Sequence, residues 1–383
     1  MIPNRRPGLN PDRADFGKPE KIALKYFLME PRAMNYRANN PAVFRRVGAV
    51  RALKAGALAC TLAVLLSSAI AAPALADPAG AQLTRVTPAA ARAAVPRPSA
   101  RTVQARKTCA EASGDVAIKA CNDAIASGQL QGEALAEIYY NRAIEYSNKG
   151  DEQRALADYN EAIRIKPDPR ALSNRGLIWA GKNDFARALA DFNDAIRLDP
   201  SDADYHHNRG NVWLGRQDYV LAIADFSEAI RLAPNDSTSY FKRGNAFAHR
   251  GENTHALADF NETIRLEPNS PGAFNNRGNI WAGRGDNERA IADFSEAIRL
   301  APDRAASAYY NRGRAWYRVK DYARAVADLG EAARLNPTDA DTLFARGLAR
   351  RANGDIAGGE ADFAAARRID PNVAPPDNAS RQS

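Results

Sequence analysis

The side chains best suited to bind a metal ion or to act as a nucleophile are scarce in this chain of 383 residues. It contains four histidines and three cysteines. The histidines are His206, His207, His249 and His255. A metal site would need His207 and His249 to converge, with an Asp or Glu completing the ligand set. Ordinary surface histidines are the alternative interpretation, and we favour it.

Short motifs that mark common catalytic sites are missing from the sequence. It has no phosphate-binding loop, no G-x-S-x-G nucleophile motif, no H-E-x-x-H zinc motif and no C-x-x-C pair. We therefore expect a protein that is not an enzyme and that needs neither a metal nor another cofactor.

Positive charge is confined to the N-terminal part of the chain. The formal net charge is +8, and residues 1–76 hold 12 Lys/Arg against 4 Asp/Glu, whereas the remainder holds 41 of each. A neutral remainder lacks the basic surface that nucleic-acid binding requires. We expect no nucleic-acid partner.

The N-terminal part has the features of an export signal. Arg51 and Lys54 precede an apolar run at residues 55–72, Pro73 ends the run, and an Ala-Leu-Ala sequence ends at Ala76. We predict cleavage after Ala76 and location in the periplasm or outside the cell. The alternative is an uncleaved segment that anchors the protein in the inner membrane, which would be its only membrane contact.

By composition, four segments of the chain precede a long repetitive region and one segment follows it. We interpret residues 1–33 as an extension ahead of the true start at Met34. The other parts are a signal peptide at 34–76, an Ala/Pro/Arg-rich linker at 77–107, a degenerate cap repeat at 108–135 and a disordered tail at 374–383.

Between the cap and the tail, three residue types recur with a period of 33 to 35 residues. The prolines are Pro167, Pro200, Pro234, Pro268, Pro302, Pro337 and Pro371. The arginines are Arg142, Arg175, Arg209, Arg243, Arg277, Arg312 and Arg346. The aspartates are Asp158, Asp191, Asp225, Asp259, Asp293, Asp328 and Asp362. A fixed period of this length is typical of a solenoid built from stacked supersecondary units.

Each unit carries two helical patterns. In the third unit Tyr205, Gly210 and Trp213 fall on the first helix, and apolar residues at 3.6-residue spacing follow on the second. Asp218 lies where it can cap the second helix, and Pro234 ends the unit because proline cannot continue a helix. These patterns predict a helix–turn–helix in every unit.

The pattern resembles the tetratricopeptide repeat. The family's small residue at position 8 is glycine in six units, position 24 is mostly Phe, and position 32 is Pro. The resemblance implies an all-α solenoid of seven repeats in a right-handed superhelix. The repeats are 136–168, 169–202, 203–236, 237–270, 271–305, 306–339 and 340–373. The resemblance to the family also implies that the protein is a scaffold for protein–protein interaction.

Two positions depart from the family pattern in every repeat. Position 7 is Arg instead of Leu, and position 23, which varies in the family, is always Asp. We favour a structural pair, such as Arg209 with Asp225. The alternative is a row of cations for an acidic ligand.

After removal of the signal, Cys109 and Cys121 would be the remaining cysteines, both near the cap. In an exported protein a disulfide between them is favoured, and two buried thiols are the alternative.

The resemblance places the first helix of each repeat on the concave side. Asparagines recur there, and an amide can hydrogen-bond the peptide group of an extended chain. We predict that this groove binds a peptide segment of an unidentified protein partner. The alternative is that the asparagines bond within the repeat array itself. The predicted groove residues are Asn174, Asn208, Asn211, Phe241, Lys242, Asn245, Asn276, Asn279, Tyr310, Asn311 and Arg314.

Overall fold

The computed structural model describes residues 97–373, which form sixteen α-helices and no strand. In chain order the helices are α1 Ala100–Glu111, α2 Gly114–Ala126, α3 Gly132–Asn148, α4 Glu152–Ile165, α5 Pro169–Gly181, α6 Phe185–Leu198, α7 Ala203–Gly215, α8 Tyr219–Leu232, α9 Ser237–His249, α10 Asn253–Leu266, α11 Pro271–Gly283, α12 Asn287–Leu300, α13 Ala306–Arg318, α14 Tyr322–Leu335, α15 Ala340–Ala352 and α16 Ile356–Ile369. Among these residues no helix combines the length and the apolar character that crossing a bilayer requires.

The sixteen helices pack as eight consecutive antiparallel pairs, and each pair contacts the next. The pair α1/α2 is the cap, and the pairs from α3/α4 to α15/α16 are the seven repeats. The predicted all-α solenoid is confirmed. The predicted extension at 1–33, the predicted signal peptide, most of the predicted linker and the predicted C-terminal tail lie outside the described residues.

Side-chain caps set where the second helices begin. Asp218 Oδ1 accepts a hydrogen bond from the backbone N–H of Leu221 over 3.2 Å, and so satisfies a donor that has no partner within the helix. Asp151, Asp184, Asp286, Asp321 and Asp355 cap in the same way. Glu252 stands at this place in the fourth repeat and forms no such bond.

The two helices of a repeat approach closely where a glycine faces an aromatic ring. A Cβ atom added at Gly278 would lie 2.8 Å from Phe294 Cε1, and at Gly210 it would lie 2.9 Å from Phe226 Cε1. Both rings are fully buried. Glycine is therefore required for packing here, since any side chain would push the helices apart.

The solenoid curves with its first helices inside. From the second repeat onward, each first helix contacts the first helix of the next repeat, whereas successive second helices lie farther apart. The first helices therefore line the concave surface, and the second helices form the outer one.

The cap begins earlier than the sequence predicted. Helix α1 starts at Ala100, within residues 77–107, for which the sequence predicts a linker. Ser99 caps it by accepting from the backbone N–H of Thr102 over 3.2 Å. Few apolar residues mark this helix, so its sequence resembles the linker. Cys109 and Cys121 form a disulfide that joins α1 to α2 beneath the first repeat.

The close glycine contact gives a direct test of the packing. We expect Gly278→Ala to lower the free energy of unfolding by about 1–3 kcal/mol, because the added methyl group overpacks the repeat. Gly181→Ala is the matched control, since a Cβ there meets nothing within 4 Å. Urea unfolding followed by circular dichroism measures both. Equal midpoints for the two variants would contradict the packing role of Gly278.

Candidate functional site

The repeated arginine and aspartate form a bidentate salt bridge in every repeat. Arg209 Nη2 donates to Asp225 Oδ1 over 2.6 Å, and Arg209 Nε donates to Asp225 Oδ2 over 2.8 Å. The same geometry recurs in the other repeats. All seven aspartates are buried. The favoured structural pairing is therefore what the geometry shows.

In six of the seven repeats the third nitrogen of the arginine reaches the preceding helix pair. Arg209 Nη1 donates to Asn193 Oδ1 on α6 over 2.7 Å. The equivalent acceptors are Asn122, Asn160, Asn193, Ser227, Asn261 and Ser295. Each of these six guanidinium groups thus joins the two helices of its own repeat to the second helix of the preceding pair. We call this set of contacts the arginine ladder.

The ladder changes at its C-terminal end. Gly330 stands where the earlier repeats have Asn or Ser, so Arg346 has no equivalent acceptor on α14. Arg350 Nη1 instead donates to Asp362 Oδ2 over 2.9 Å. Asp362 therefore receives hydrogen bonds from two arginines. The hydrogen bonds to Asp362 also raise the pKa of Arg346.

Four asparagines on the concave side hydrogen-bond to one another. Asn276 Nδ2 donates to Asn245 Oδ1 over 2.8 Å, Asn275 Nδ2 donates to Asn276 Oδ1 over 3.2 Å, and Asn311 Nδ2 donates to Asn275 Oδ1 over 3.3 Å. Asn245 and Asn311 are buried. For this asparagine chain, which spans α9, α11 and α13, the alternative interpretation holds: these amides join neighbouring repeats.

Two asparagines nearer the N-terminus also have partners within the array. Asn208 Nδ2 donates to Ser173 Oγ over 3.4 Å, which links α7 to α5. Burial raises the pKa of Tyr140 and of Tyr159, and a hydrogen bond with Asn174 opposes both shifts. Asn174 therefore contacts the first repeat.

Asn211 and Asn279 differ from the other asparagines. Both are half-buried at position 9 of a first helix, on α7 and α11. Neither forms a hydrogen bond to another residue within 97–373. Their amide groups remain available to a ligand.

The predicted aromatic anchors are mostly part of the core. Tyr310 is 5% exposed and packs with Leu329. This corrects the expectation that it faces a ligand. Phe241 is half-buried, with its ring centroid 6.0 Å from that of Phe260. Of the two aromatics, Phe241 keeps the larger accessible surface.

The two predicted groove cations lie in different surroundings. Lys242 is half-buried on α9, and Arg314 is buried on α13 with its guanidinium 5.5 Å from the centroid of the Tyr310 ring. They lie two repeats apart, so they do not form a paired clamp for one carboxylate.

The histidines do not form a metal site within residues 97–373, where no three His, Cys, Asp or Glu side chains converge. His207 Nδ1 lies 2.7 Å from Ser239 Oγ, and that hydroxyl donates to Asp236 over 2.5 Å. Burial lowers the pKa of His207 to about 4. Ser239 is fully buried in the first turn of α9, so this Ser–His–Asp group is a structural contact without access for a substrate.

His206 is a buried residue that the sequence reasoning placed at the surface. It is 8% exposed, and neither ring nitrogen has a hydrogen-bond partner among residues 97–373. Its neighbour is Asp225, with Nδ1 and Oδ1 3.8 Å apart. The other repeats have Tyr, Leu or Phe at this position, which is the signal that marks it as a core site.

The arginine ladder predicts that a buried aspartate matters far more than an exposed one. We expect Asp293→Ala to lower the free energy of unfolding by about 2–4 kcal/mol, because Arg277 then loses its partner in a partly buried site. Asp194→Ala breaks the exposed pair with Arg197 and should cost less than about 1 kcal/mol. Urea midpoints measure both. Similar losses would show that the ladder contributes no more than a surface ion pair.

Comparisons with known proteins agree with this architecture. Sequence models of the tetratricopeptide repeat match residues 136–169, 180–237, 207–272, 241–305 and 306–339, together just over half of the chain. No curated protein matches the sequence at a significant level.

Several solved structures are similar in fold. YrrB, described as a tetratricopeptide repeat protein with an unusual peptide-binding site, is 26% identical over 50% of this chain and 96% of its own, with a TM-score of 0.44. A repeat protein from Parabacteroides merdae is 20% identical over 64% and 99%, with a TM-score of 0.47. The Cut9–Hcn1 complex gives 17% identity over 70% and 51%, with a TM-score of 0.49.

Family members are generally scaffolds for protein–protein interaction, and this chain has their repeats and their helix pairs. The chain belongs to the tetratricopeptide repeat family.

Proposed function

We propose that this protein is a non-enzymatic scaffold that binds an extended peptide segment of a partner protein on its concave surface. The proposal rests on the side-chain amides of Asn211 and Asn279 on the inner helices α7 and α11. Neither amide forms a hydrogen bond within residues 97–373. An amide offers a donor and an acceptor side by side, which matches the N–H and C=O of an extended backbone.

The surroundings of the two amides suit a segment that lies across several repeats. Asn211 and Asn279 belong to the third and fifth repeats, and the fourth repeat between them contributes the partly exposed Phe241 and Lys242. A bound backbone would gain about 0.5–1.5 kcal/mol for each hydrogen bond it satisfies. Recognition through a few such bonds favours a partner segment that is unfolded before binding.

The hydrogen bonds of the asparagine chain limit which asparagines a ligand can use. Asn245, Asn276 and Asn311 already hydrogen-bond within the array, so a ligand that used them would first have to break those bonds. The net gain from such an exchange is close to zero. Binding is therefore expected at Asn211 and Asn279, where no hydrogen bond within residues 97–373 is lost.

We further propose that the protein works in the bacterial cell envelope, in the periplasm or outside the cell. The support is the export-type pattern that ends at Ala76, which lies outside the described residues. The alternative is an assembly factor held at the inner membrane by an uncleaved N-terminal segment.

The groove proposal predicts a specific loss of binding. A peptide is first selected on the wild-type protein from a random phage-displayed library, and its dissociation constant is measured by fluorescence anisotropy. Asn211→Ala with Asn279→Ala should weaken binding about tenfold or more, which corresponds to about 1.4 kcal/mol. The matched control is Asn235→Ala with Asn269→Ala, two exposed asparagines in turns between repeats. Wild-type affinity in the groove variant, or an equal loss in the control, would contradict the proposal.

The location proposal predicts the mass of the exported protein. We expect a chain that begins at Asp77 and lacks two hydrogens, because the signal is removed and Cys109 and Cys121 are bonded. Intact mass spectrometry with and without reduction measures both features. A chain that retains residues 55–72 would support the membrane-tethered alternative, and two free thiols would contradict the disulfide.

A further inference from the structure

The imidazole ring of His207 is held at one nitrogen and accessible at the other. Nδ1 lies 2.7 Å from Ser239 Oγ, at the junction between the third and fourth repeats. Nε2 forms no hydrogen bond within residues 97–373, yet it is not shut off from solvent as both ring nitrogens of His206 are. The His207 side chain is 17% exposed. The buried Ser239 excludes a nucleophilic role for this group, but the outer nitrogen of the ring lies within reach of a bound segment.

The hydrogen bonds around Ser239 decide which nitrogen of His207 carries the proton. A hydroxyl has one proton to donate, and Ser239 Oγ donates it to Asp236 over 2.5 Å. Ser239 therefore accepts from the ring, so Nδ1 carries the proton and Nε2 carries the lone pair. Asp236 also accepts from the backbone N–H groups of Thr238 and Ser239, which fixes the carboxylate at the start of α9. The accessible nitrogen is thus a hydrogen-bond acceptor with a defined direction.

The same surroundings set the charge of the ring. Burial lowers the pKa of His207 to about 4, while the Asp236 carboxylate opposes this shift and Lys242 on α9 adds to it. From α8 the ring contacts the uncharged Phe226, with centroids 5.5 Å apart. On α7 itself, Asp204 lies three residues earlier. The ring is therefore neutral at pH 7, and Nε2 keeps its lone pair.

His207 and Asn211 lie on the same face of α7, because residues four apart are neighbours on a helix. The Asn211 amide forms no hydrogen bond within residues 97–373. An extended chain presents its backbone N–H groups on opposite edges at successive residues. A segment that crosses α7 between these two side chains would therefore meet Asn211 on one edge and His207 on the other.

We propose that Nε2 of His207 accepts a hydrogen bond from a backbone N–H of the partner segment, and that protonation of this nitrogen weakens binding. The inference rests on the proposed peptide groove and adds to it a residue with one fixed role. An amide both donates and accepts, whereas Nε2 of the neutral ring only accepts. His207 therefore requires a donor at one position of the segment, and proline, which has no N–H, is excluded there.

The probe is a fluorescein-labelled peptide selected from a random library on the wild-type protein. It is capped at both ends, contains no Asp, Glu or His, and binds more weakly to the variant that carries Asn211→Ala and Asn279→Ala. Its dissociation constant is measured by fluorescence anisotropy, and circular dichroism checks that each variant is folded. The dependence on the two asparagines ensures that the probe occupies the groove.

Two substitutions separate the two nitrogens of the ring. His207→Asn keeps a donor toward Ser239 but removes the outer acceptor, so it should weaken binding about threefold to tenfold, as expected for one hydrogen bond. The fifth repeat has Asn275 at the same position, so the helix accommodates this residue. His207→Gln places an amide oxygen near the site of Nε2 and should weaken binding less. The matched control is His255→Asn, since His255 is a 67% exposed histidine on α10.

Methylation of one backbone nitrogen of the peptide at a time identifies the donor. At one position the methyl group should weaken binding to the wild-type protein about threefold to tenfold. The same methyl group should cost nothing further against His207→Asn, because both changes remove one and the same hydrogen bond. A structural role of His207 alone would give losses that add.

Two measurements on the wild-type protein complete the test. Nitrogen-15 NMR of the ring should show the proton on Nδ1 in the free protein, and the Nε2 signal should move when the peptide is added. Affinity should stay constant between about pH 7 and about pH 6, where an ordinary histidine with a pKa of about 6.5 would lose its acceptor. It should fall only as the pH approaches about 4, where His207 becomes protonated.

The outcomes separate this inference from the groove proposal. If no selected peptide depends on Asn211 and Asn279, the groove proposal fails and the inference fails with it. If peptides depend on both amides but bind His207→Asn with wild-type affinity, the inference alone fails. It is also overturned by a proton on Nε2 in the free protein, by an N-methyl scan without coupling to His207, or by an equal loss in His255→Asn.

Discussion

The contact on which the whole array depends is the one between a glycine on the first helix and a buried ring on the second. At Gly347 an added Cβ would lie 2.7 Å from Phe363 Cε1, so the helices are as close as their backbones and the ring permit. Similar distances recur from the second repeat to the seventh, with Leu329 in place of the ring in the sixth, and this close approach brings the arginine of the first helix within reach of the aspartate on the second. The ion pair therefore follows from the close packing.

The arginine ladder connects successive helix pairs into a continuous solenoid. Because six of the seven guanidinium groups also reach the preceding helix pair, the geometry of one unit constrains the next, as expected where stability is shared between nearest neighbours. The two ends of the solenoid are stabilised by other contacts. At the N-terminal end a disulfide links the two helices of the cap, and at the C-terminal end Arg350 joins Arg346 on Asp362.

Most of the fold was predictable from sequence because it depends on residues that recur at fixed positions. The period, the helix pairs, the capping aspartates and the pairing of Arg209 with Asp225 all follow from comparing copies within one chain. The start of α1 did not, because a single helix has no second copy with which it can be compared. The site was less predictable still: position 6 is Asn in several repeats, yet the partner of Asn276 depends on the distance between repeats, which the sequence does not specify.

In this repeat array, the residues that hold the structure together differ from those that are available to bind a partner. Residues shared by all repeats have a structural partner in nearly every case, and the asparagine chain shows that even polar residues on the concave surface can be used for cohesion. The residues available to a partner are those that the pattern leaves without a hydrogen bond within residues 97–373, such as Asn211. Because such a residue can be replaced by the one that another repeat carries at the same position, its effect on binding can be measured without altering the fold that all the repeats share.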